Sequence, residues 1–118
     1  MKRYEYITGD PIVPIRITNP NNNRHIDTYA YLDMGAIITG IPRDMYDRLG
    51  FECDIYDVFD TPSGYTRLWV SKARISFNED IFEIWVTRSD SVDPFIGRDI
   101  LDRFVVCFNG RENIVTIE

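Results

Sequence analysis

Asp33 has the clearest potential for chemistry in this sequence, because of the residues around it. An apolar run over residues 30–32 leads into Asp33, Gly35 follows two positions later, and a second apolar run continues to Pro42. This pattern predicts a strand that delivers a carboxylate to a tight turn and leaves again as a strand. One aspartate cannot perform chemistry that needs two carboxylates. We therefore interpret the pattern as a site at which two copies of the chain meet and pool two Asp33 side chains.

Short β-branched and alternating segments predict strands over most of the chain. We expect them at residues 4–7, 12–17, 26–32, 37–41, 51–59, 65–70, 73–77, 81–86, 104–108 and 114–117. Residues 42–50 predict a short helix, because proline suits a first helical turn and glycine suits a helix end. Residues 98–103 allow one or two further helical turns. The sequence thus predicts an all-β fold with one or two short helices, in a single domain over residues 1–118.

Composition and charge restrict the classes of function. The apolar fraction of 44% is typical of a folded protein. The formal net charge of -6 and the scattered acids argue against non-specific binding to nucleic acid, whose phosphates attract basic surfaces. No apolar run approaches the length of a membrane span, and the first residues lack the apolar region of a signal peptide. We expect a cytoplasmic protein that binds neither nucleic acid nor a membrane.

The chain has few cysteine and histidine residues that could hold a metal. Cys53 and Cys107 lie far apart, without a C-x-x-C motif, and His25 is the one histidine. A Cys/His zinc site within one chain is therefore not expected. We expect no metal and no cofactor, and we expect both cysteines to be buried free thiols because each lies in an apolar or strand-like stretch.

Three segments together carry a resemblance to a known family. Residues 32–42 are similar to an active-site loop in which an apolar pair precedes D-T/S-G-A. Residues 57–69, with Pro62-Ser63-Gly64 at their tip, resemble a flap hairpin. Residues 95–101, F-I-G-R-D-I-L, are similar to a late signature of two apolar residues followed by G-R-D/N-x-L. With these segments in this order, the chain resembles the retropepsin-like aspartic proteases, the single-domain, homodimeric relatives of pepsin that include the retroviral enzymes.

The resemblance implies a closed, acid-protease-like β-barrel that forms a homodimer about a two-fold axis. Asp33 of each protomer would be catalytic, the two forming a dyad that activates a water for the hydrolysis of a peptide or protein substrate. The rest of the active-site loop would be Met34, Gly35 and Ala36. The flap residues that cover the substrate would be Thr61, Pro62, Ser63 and Gly64. Arg98 would have a structural role, tying its helix to the dimer interface by ion pairing.

Met34 departs from the family pattern, which has threonine or serine at this position. In the family that hydroxyl makes a hydrogen bond across the dimer axis, whereas methionine has no donor and only a weak acceptor. The loss would cost on the order of 1 kcal/mol per protomer.

Three hypotheses therefore stay open. The first is a homodimeric aspartic endopeptidase. The second is a catalytically weak or inactive protease-like module that dimerises or binds peptides. The reason for considering it is Met34, which replaces the threonine or serine of the family pattern. The third is a generic small β-barrel binding module, which would require a monomer with Asp33 in a solvated turn.

Overall fold

The computed structural model describes residues 1–118, which form ten strands and two short helices. The strands are β1 (Lys2–Glu5), β2 (Ile12–Thr18), β3 (His25–Leu32), β4 (Gly40–Pro42), β5 (Ile55–Thr61), β6 (Gly64–Phe77), β7 (Asp80–Ser89), β8 (Phe95–Ile96), β9 (Val106–Asn109) and β10 (Ile114–Ile117). The helices are α1 (Arg43–Arg48) and α2 (Arg98–Leu101). The predicted all-β class with two short helices is confirmed. Neither helix is long and apolar enough to span a lipid bilayer.

Seven strands form one large sheet in the order β2-β3-β8-β4-β7-β6-β5, and β2 also pairs with β6. This additional pairing closes β2, β3, β8, β4, β7 and β6 into a ring of six strands. Strand β5 pairs with β6 and lies outside the ring. The 14-residue length of β6 makes both arrangements possible. Its first half pairs with β5 to form a projecting hairpin, and its second half pairs with β7 on one side and β2 on the other.

Alternation of apolar and polar residues places the core inside this ring. In β7, Phe82, Ile84 and Val86 are buried, whereas Glu83 and Trp85 are exposed. Successive side chains of a strand point to opposite faces of the sheet, so one face of β7 is wholly apolar and packs inward. The sequence predicts this face correctly, and similar alternation in β2 and the second half of β6 completes the core.

The two ends of the chain meet in a second, smaller sheet with the order β1-β10-β9. All its strands are antiparallel, and Lys2 lies opposite Ile117. The hairpin predicted at Asn109-Gly110 is confirmed as the β9–β10 connection, with a loop over residues 110–113. Strands β1 and β9 are the two outer strands of this sheet, and the second edge of β9 has no neighbouring strand.

Several predicted boundaries are wrong, because tertiary hydrogen bonds replace strand pairing. Within the predicted strand 37–41, only Gly40 and Ile41 belong to β4, since the Thr39 N–H donates to the Asp99 carboxylate instead of to a strand. The strand predicted from residue 51 begins at Ile55. Residue 51 lies beyond the end of α1 but is tied to that helix, because its N–H donates to the Tyr46 carbonyl oxygen.

The predicted break between Val70 and Ala73 does not exist. Ser71 and Lys72 pair with β7, so β6 continues through them. At the chain ends, β1 starts and finishes about two residues earlier than predicted, and the strand predicted at 104–108 is β9, shifted to 106–109. Helix α2 ends at Leu101 rather than at residue 103.

The two cysteines are free, as expected, but their predicted burial is wrong. Cys107 is exposed and Cys53 is half-buried. The reason for Cys107 is its place in β9, an outer strand of the small sheet that has less of the structure packed over it.

Candidate functional site

Asp33 is the first residue beyond β3, in a turn that the backbone holds firmly. Its N–H donates to the Ile96 carbonyl oxygen at 2.9 Å, and its own carbonyl oxygen accepts from the Ala36 N–H at 3.2 Å. One carboxylate oxygen, Oδ1, accepts from the Gly35 N–H at 2.9 Å. The other, Oδ2, accepts no hydrogen bond within the chain. The turn therefore presents an exposed carboxylate with one fixed oxygen and one available oxygen.

Glycine is favoured at position 35 by the closeness of this contact. A Cβ atom there would lie 3.2 Å from Asp33 Oδ1, tighter than most side-chain contacts. The hydrogen bond from the Gly35 N–H also orients the Asp33 carboxylate.

The turn after Asp33 interlocks with the segment that joins β8 to α2. The Arg98 N–H donates to the Ala36 carbonyl oxygen at 2.8 Å, and the Gly97 N–H donates to Thr39 Oγ1 at 3.1 Å. The Asp99 carboxylate receives both the Thr39 hydroxyl at 2.8 Å and the Thr39 N–H at 2.9 Å. The late signature of the sequence thus acts as the support of the acid turn.

The Thr39 hydroxyl is the centre of this support, so we expect Thr39→Val to destabilise the fold by about 2–4 kcal/mol. Valine matches threonine in shape but leaves the buried Gly97 N–H without an acceptor and Asp99 without one donor. Thr39→Ser keeps the hydroxyl and is the matched control. Urea denaturation of both variants measures the difference, and a valine variant as stable as the serine variant would contradict this role.

Asp99 is half-buried beneath the acid turn, and its environment alters its titration. Burial raises the pKa of the Asp99 carboxyl above its ordinary value of 3.8, although hydrogen bonds from Thr39 and Ile100 oppose the shift. The folded protein therefore holds this proton more tightly than the unfolded chain does.

We expect Asp99 to make stability depend on pH in a defined direction. Because its folded-state pKa is raised, the stabilisation by its proton is complete below 3.8 and is lost as pH rises through the folded-state value. Urea denaturation of the wild type and Asp99→Asn between about pH 3 and 7 isolates this contribution. The stability of the wild type minus that of the variant should fall with pH and then level off. A difference that stays constant, or rises with pH, would contradict the raised pKa.

The predicted flap residues form the tip of the β5–β6 hairpin. Thr61 and Gly64 are the last paired residues, with Pro62 and Ser63 between them. The Thr61 hydroxyl donates to the Gly64 carbonyl oxygen at 2.6 Å and accepts from the Ser63 N–H at 3.3 Å. Gly64 has a φ of 108°, a conformation that side chains disfavour.

The hairpin tip and the acid turn face one cavity of about 330 Å³. Of the predicted site residues, Gly35, Ala36, Thr61 and Pro62 line it. Its apolar wall and polar rim are formed by Ile37, Ile38, Leu68, Phe95, Thr87, Arg88, Ser89 and Asp90. The structure therefore brings together two segments that lie more than 20 residues apart in the sequence.

Five predicted site residues do not line this cavity: Asp33 and Met34 in the acid turn, Ser63 and Gly64 at the hairpin tip, and Arg98. Met34 does not line this cavity, and 47% of its surface is exposed. Arg98 contributes its backbone to the support of the turn, but its Nε is buried without a hydrogen-bond partner, and no carboxylate of this chain forms an ion pair with it. No group of three or more His, Cys, Asp or Glu side chains is placed to hold a metal ion.

Comparison with known proteins places this geometry in context. No protein-family model matches the chain, and no curated protein matches it in sequence. Among solved structures, it is similar to the EIAV protease complexed with the inhibitor HBY-793, with a TM-score of 0.57 and 20% identity over 80% of this chain and 86% of that one. The chain has a retropepsin-like fold. At this level of identity the similarity establishes the fold alone.

One residue that supports the acid turn of this retropepsin-like fold was not predicted from the sequence. Thr39 is only 1% exposed, and it joins two loops through its hydroxyl and its N–H. One signal could have revealed it. It is the one residue with a polar side chain in the apolar run from Ala36 to Pro42, and a buried hydroxyl requires a hydrogen-bond partner.

Proposed function

We propose that this chain is an aspartic endopeptidase that hydrolyses peptide bonds as a homodimer, with one Asp33 per protomer activating a water. The observation that carries the proposal is the shared cavity, in which the turn bearing the acid faces the tip of a projecting hairpin. A cleft between the turn that bears Asp33 and a projecting strand pair suits an extended peptide, which binds by adding main-chain hydrogen bonds. In this proposal residues 1–118 act as one protease domain without a cofactor.

Two Asp33 carboxyl groups at a two-fold axis would supply both the acid and the base. Carboxyl groups about 3 Å apart cannot both ionise, so the pair shares one proton. The ionised group takes a proton from water as the water oxygen bonds to the scissile carbonyl carbon. The protonated group donates to the carbonyl oxygen, which gives a tetrahedral intermediate with two hydroxyl groups. As the C–N bond breaks, the leaving nitrogen takes up a proton from the pair, and one of these hydroxyls returns its proton to the pair as the carbonyl re-forms. The pair ends the cycle with the one proton that it held at the start.

The geometry within one chain is compatible with this chemistry. The Gly35 N–H holds Oδ1 of Asp33, which leaves Oδ2 free for the partner carboxyl or the water. The interlocked loops keep the turn in place, so that little reorganisation is required when substrate binds.

Cleavage of an unfolded protein between about pH 3 and 7 tests the proposal. We expect internal cleavage, strongest on the acidic side because a shared-proton dyad requires one protonated carboxyl. A peptide-like aspartic-protease inhibitor should abolish it. The Asp33→Asn chain, purified identically, controls for contaminating proteases. A dimeric wild-type chain that cleaves nothing across this pH range would contradict the proposal.

A second candidate function is a weak or inactive protease-like module that dimerises or binds peptides. Met34 favours it, because this exposed side chain offers no hydroxyl to brace the acid turns. Calorimetric titration with the same peptide-like inhibitor distinguishes the two functions. Saturable binding to a dimer that never cleaves peptides would support the second candidate, whereas cleavage that the inhibitor blocks would support the first.

A further inference from the structure

An apolar hollow lies beside the acid turn, on a different surface from the shared cavity. It has a volume of about 410 Å³, and five of its six lining residues are hydrophobic. We call it the β9 hollow. It is formed by Met34, Leu101, Asp102, Phe104, Val106 and Phe108. The hollow thus runs from the residue after the catalytic candidate, past the end of α2, to strand β9.

Two of the apolar side chains that line the β9 hollow are exposed, and so is one neighbour. Met34 is 47% exposed and Phe108 is 38% exposed, and the neighbouring Val105 is 67% exposed. Exposed apolar side chains gathered on one surface mark an interaction site more often than scattered ones do. The surface is therefore incomplete in a single chain.

Two features indicate that a second copy of this chain covers the surface. Strand β9 has one edge without a neighbour, and an open edge is a template for pairing with an identical strand about a two-fold axis. The projecting side chain of Met34 and the hollow also lie next to each other on one chain. A two-fold interface is self-complementary, so a projection and a hollow side by side suit it better than they suit an unrelated partner.

We infer that Met34 of each protomer inserts into the β9 hollow of its partner, so that apolar packing, in place of a hydrogen bond across the axis, holds the two acid turns together. This inference rests on the proposed function, since it assumes a homodimer with an axis beside Asp33. Methionine suits the role because its unbranched side chain adapts to irregular gaps. The departure from threonine or serine at position 34 then has a structural purpose.

Site-specific cross-linking tests the contact directly. In a chain carrying Cys53→Ala and Cys107→Ser, one preparation receives Met34→Cys and another Phe108→Cys. The two are mixed and treated with a short bismaleimide. We expect cross-linked dimers to be several-fold more abundant in the mixture than in either preparation alone. Ile81→Cys in place of Met34→Cys is the control, because Ile81 is an exposed apolar residue of β7 that does not line the hollow.

Sedimentation velocity on the full chain provides the second measurement. Met34→Ala should raise the dimer dissociation constant by roughly tenfold or more, whereas Ile81→Ala should change it less than about twofold. This experiment remains informative if the cysteine variants fold poorly.

The outcomes separate this inference from the proposed function. The inference is overturned if linkage between the two copies of position 34 dominates, if the Ile81→Cys control links equally well, or if the wild-type chain is monomeric. Cleavage of peptides by a dimer without linkage from position 34 to 108 would overturn this inference alone. A linked dimer that never cleaves peptides would instead count against the proposed function alone.

Discussion

Asp33→Asn is expected to reduce kcat/KM for peptide hydrolysis by at least about 10³-fold while leaving the fold and the dimer intact. Asparagine has nearly the same shape, and its carbonyl oxygen can still accept the Gly35 N–H that Asp33 Oδ1 accepts at 2.9 Å. Two amides cannot share an acidic proton, however, and neither can remove a proton from water. Initial rates of cleavage, measured by the appearance of new amino termini, provide the comparison.

Asp80→Asn is the matched control for this change. Asp80 is also exposed, and its replacement by asparagine removes the same negative charge. It lies at the start of β7, outside the acid turn and outside the cavity lining. Its cleavage rate should equal that of the wild type. The free energy of unfolding of both variants, measured by thermal and urea denaturation, should stay within about 0.5 kcal/mol of the wild-type value, because both side chains are exposed. If Asp33→Asn cleaves as fast as the wild type, Asp33 is not the catalytic acid.

Gly97→Ala is expected to lower the free energy of unfolding by about 3 kcal/mol or more. A Cβ atom at Gly97 would lie 2.8 Å from the Ile38 carbonyl carbon and oxygen and 2.9 Å from the Ala36 carbonyl oxygen. All of these are backbone atoms of the loop that follows Asp33, so relief requires the two interlocked loops to separate. The Gly97 N–H would then also lose its hydrogen bond to Thr39. Urea denaturation measures the loss.

Gly110→Ala is the control for the general effect of replacing glycine by alanine. No other atom would approach a Cβ within 4 Å at Gly110, and its φ is not in the left-handed region. The change should therefore stay within about 1 kcal/mol of the wild type and could even stabilise the fold by restricting the unfolded chain. Equal losses in the two variants would indicate that Gly97 is not held by close packing. A stable Gly97→Ala chain would show that the two loops can move apart at little cost.

The acid turn and the projecting hairpin were predictable because their signals are local. Asp33 and Gly35 belong to one turn, and their hydrogen bond spans two residues. The hairpin tip between Thr61 and Gly64 carries proline and glycine, whose backbone preferences mark turns in any context. The resemblance to a protease family rests on such short segments, and the fold that it implies is confirmed by the solved structure to which the chain is similar.

The strand boundaries were less predictable because they depend on partners distant in sequence. Thr39 could continue a strand by its local preference, but its N–H and hydroxyl both bond to Asp99, 60 residues later. Conversely, Ser71 and Lys72 interrupt an apolar run, yet pairing with β7 keeps β6 continuous through them. In both cases a tertiary contact overrode the local preference of the residues.

By itself, the sequence determined the strand-rich character of the chain, the turn that presents Asp33 and the hairpin near Gly64, because backbone preferences and alternation act over a few residues. Only the tertiary structure decided that β2 pairs with β6 to close the ring, and that Thr39 locks the acid turn against Gly97. It also left Met34 exposed beside an apolar hollow. These features depend on which distant segments pack together, and no short stretch of sequence carries that information.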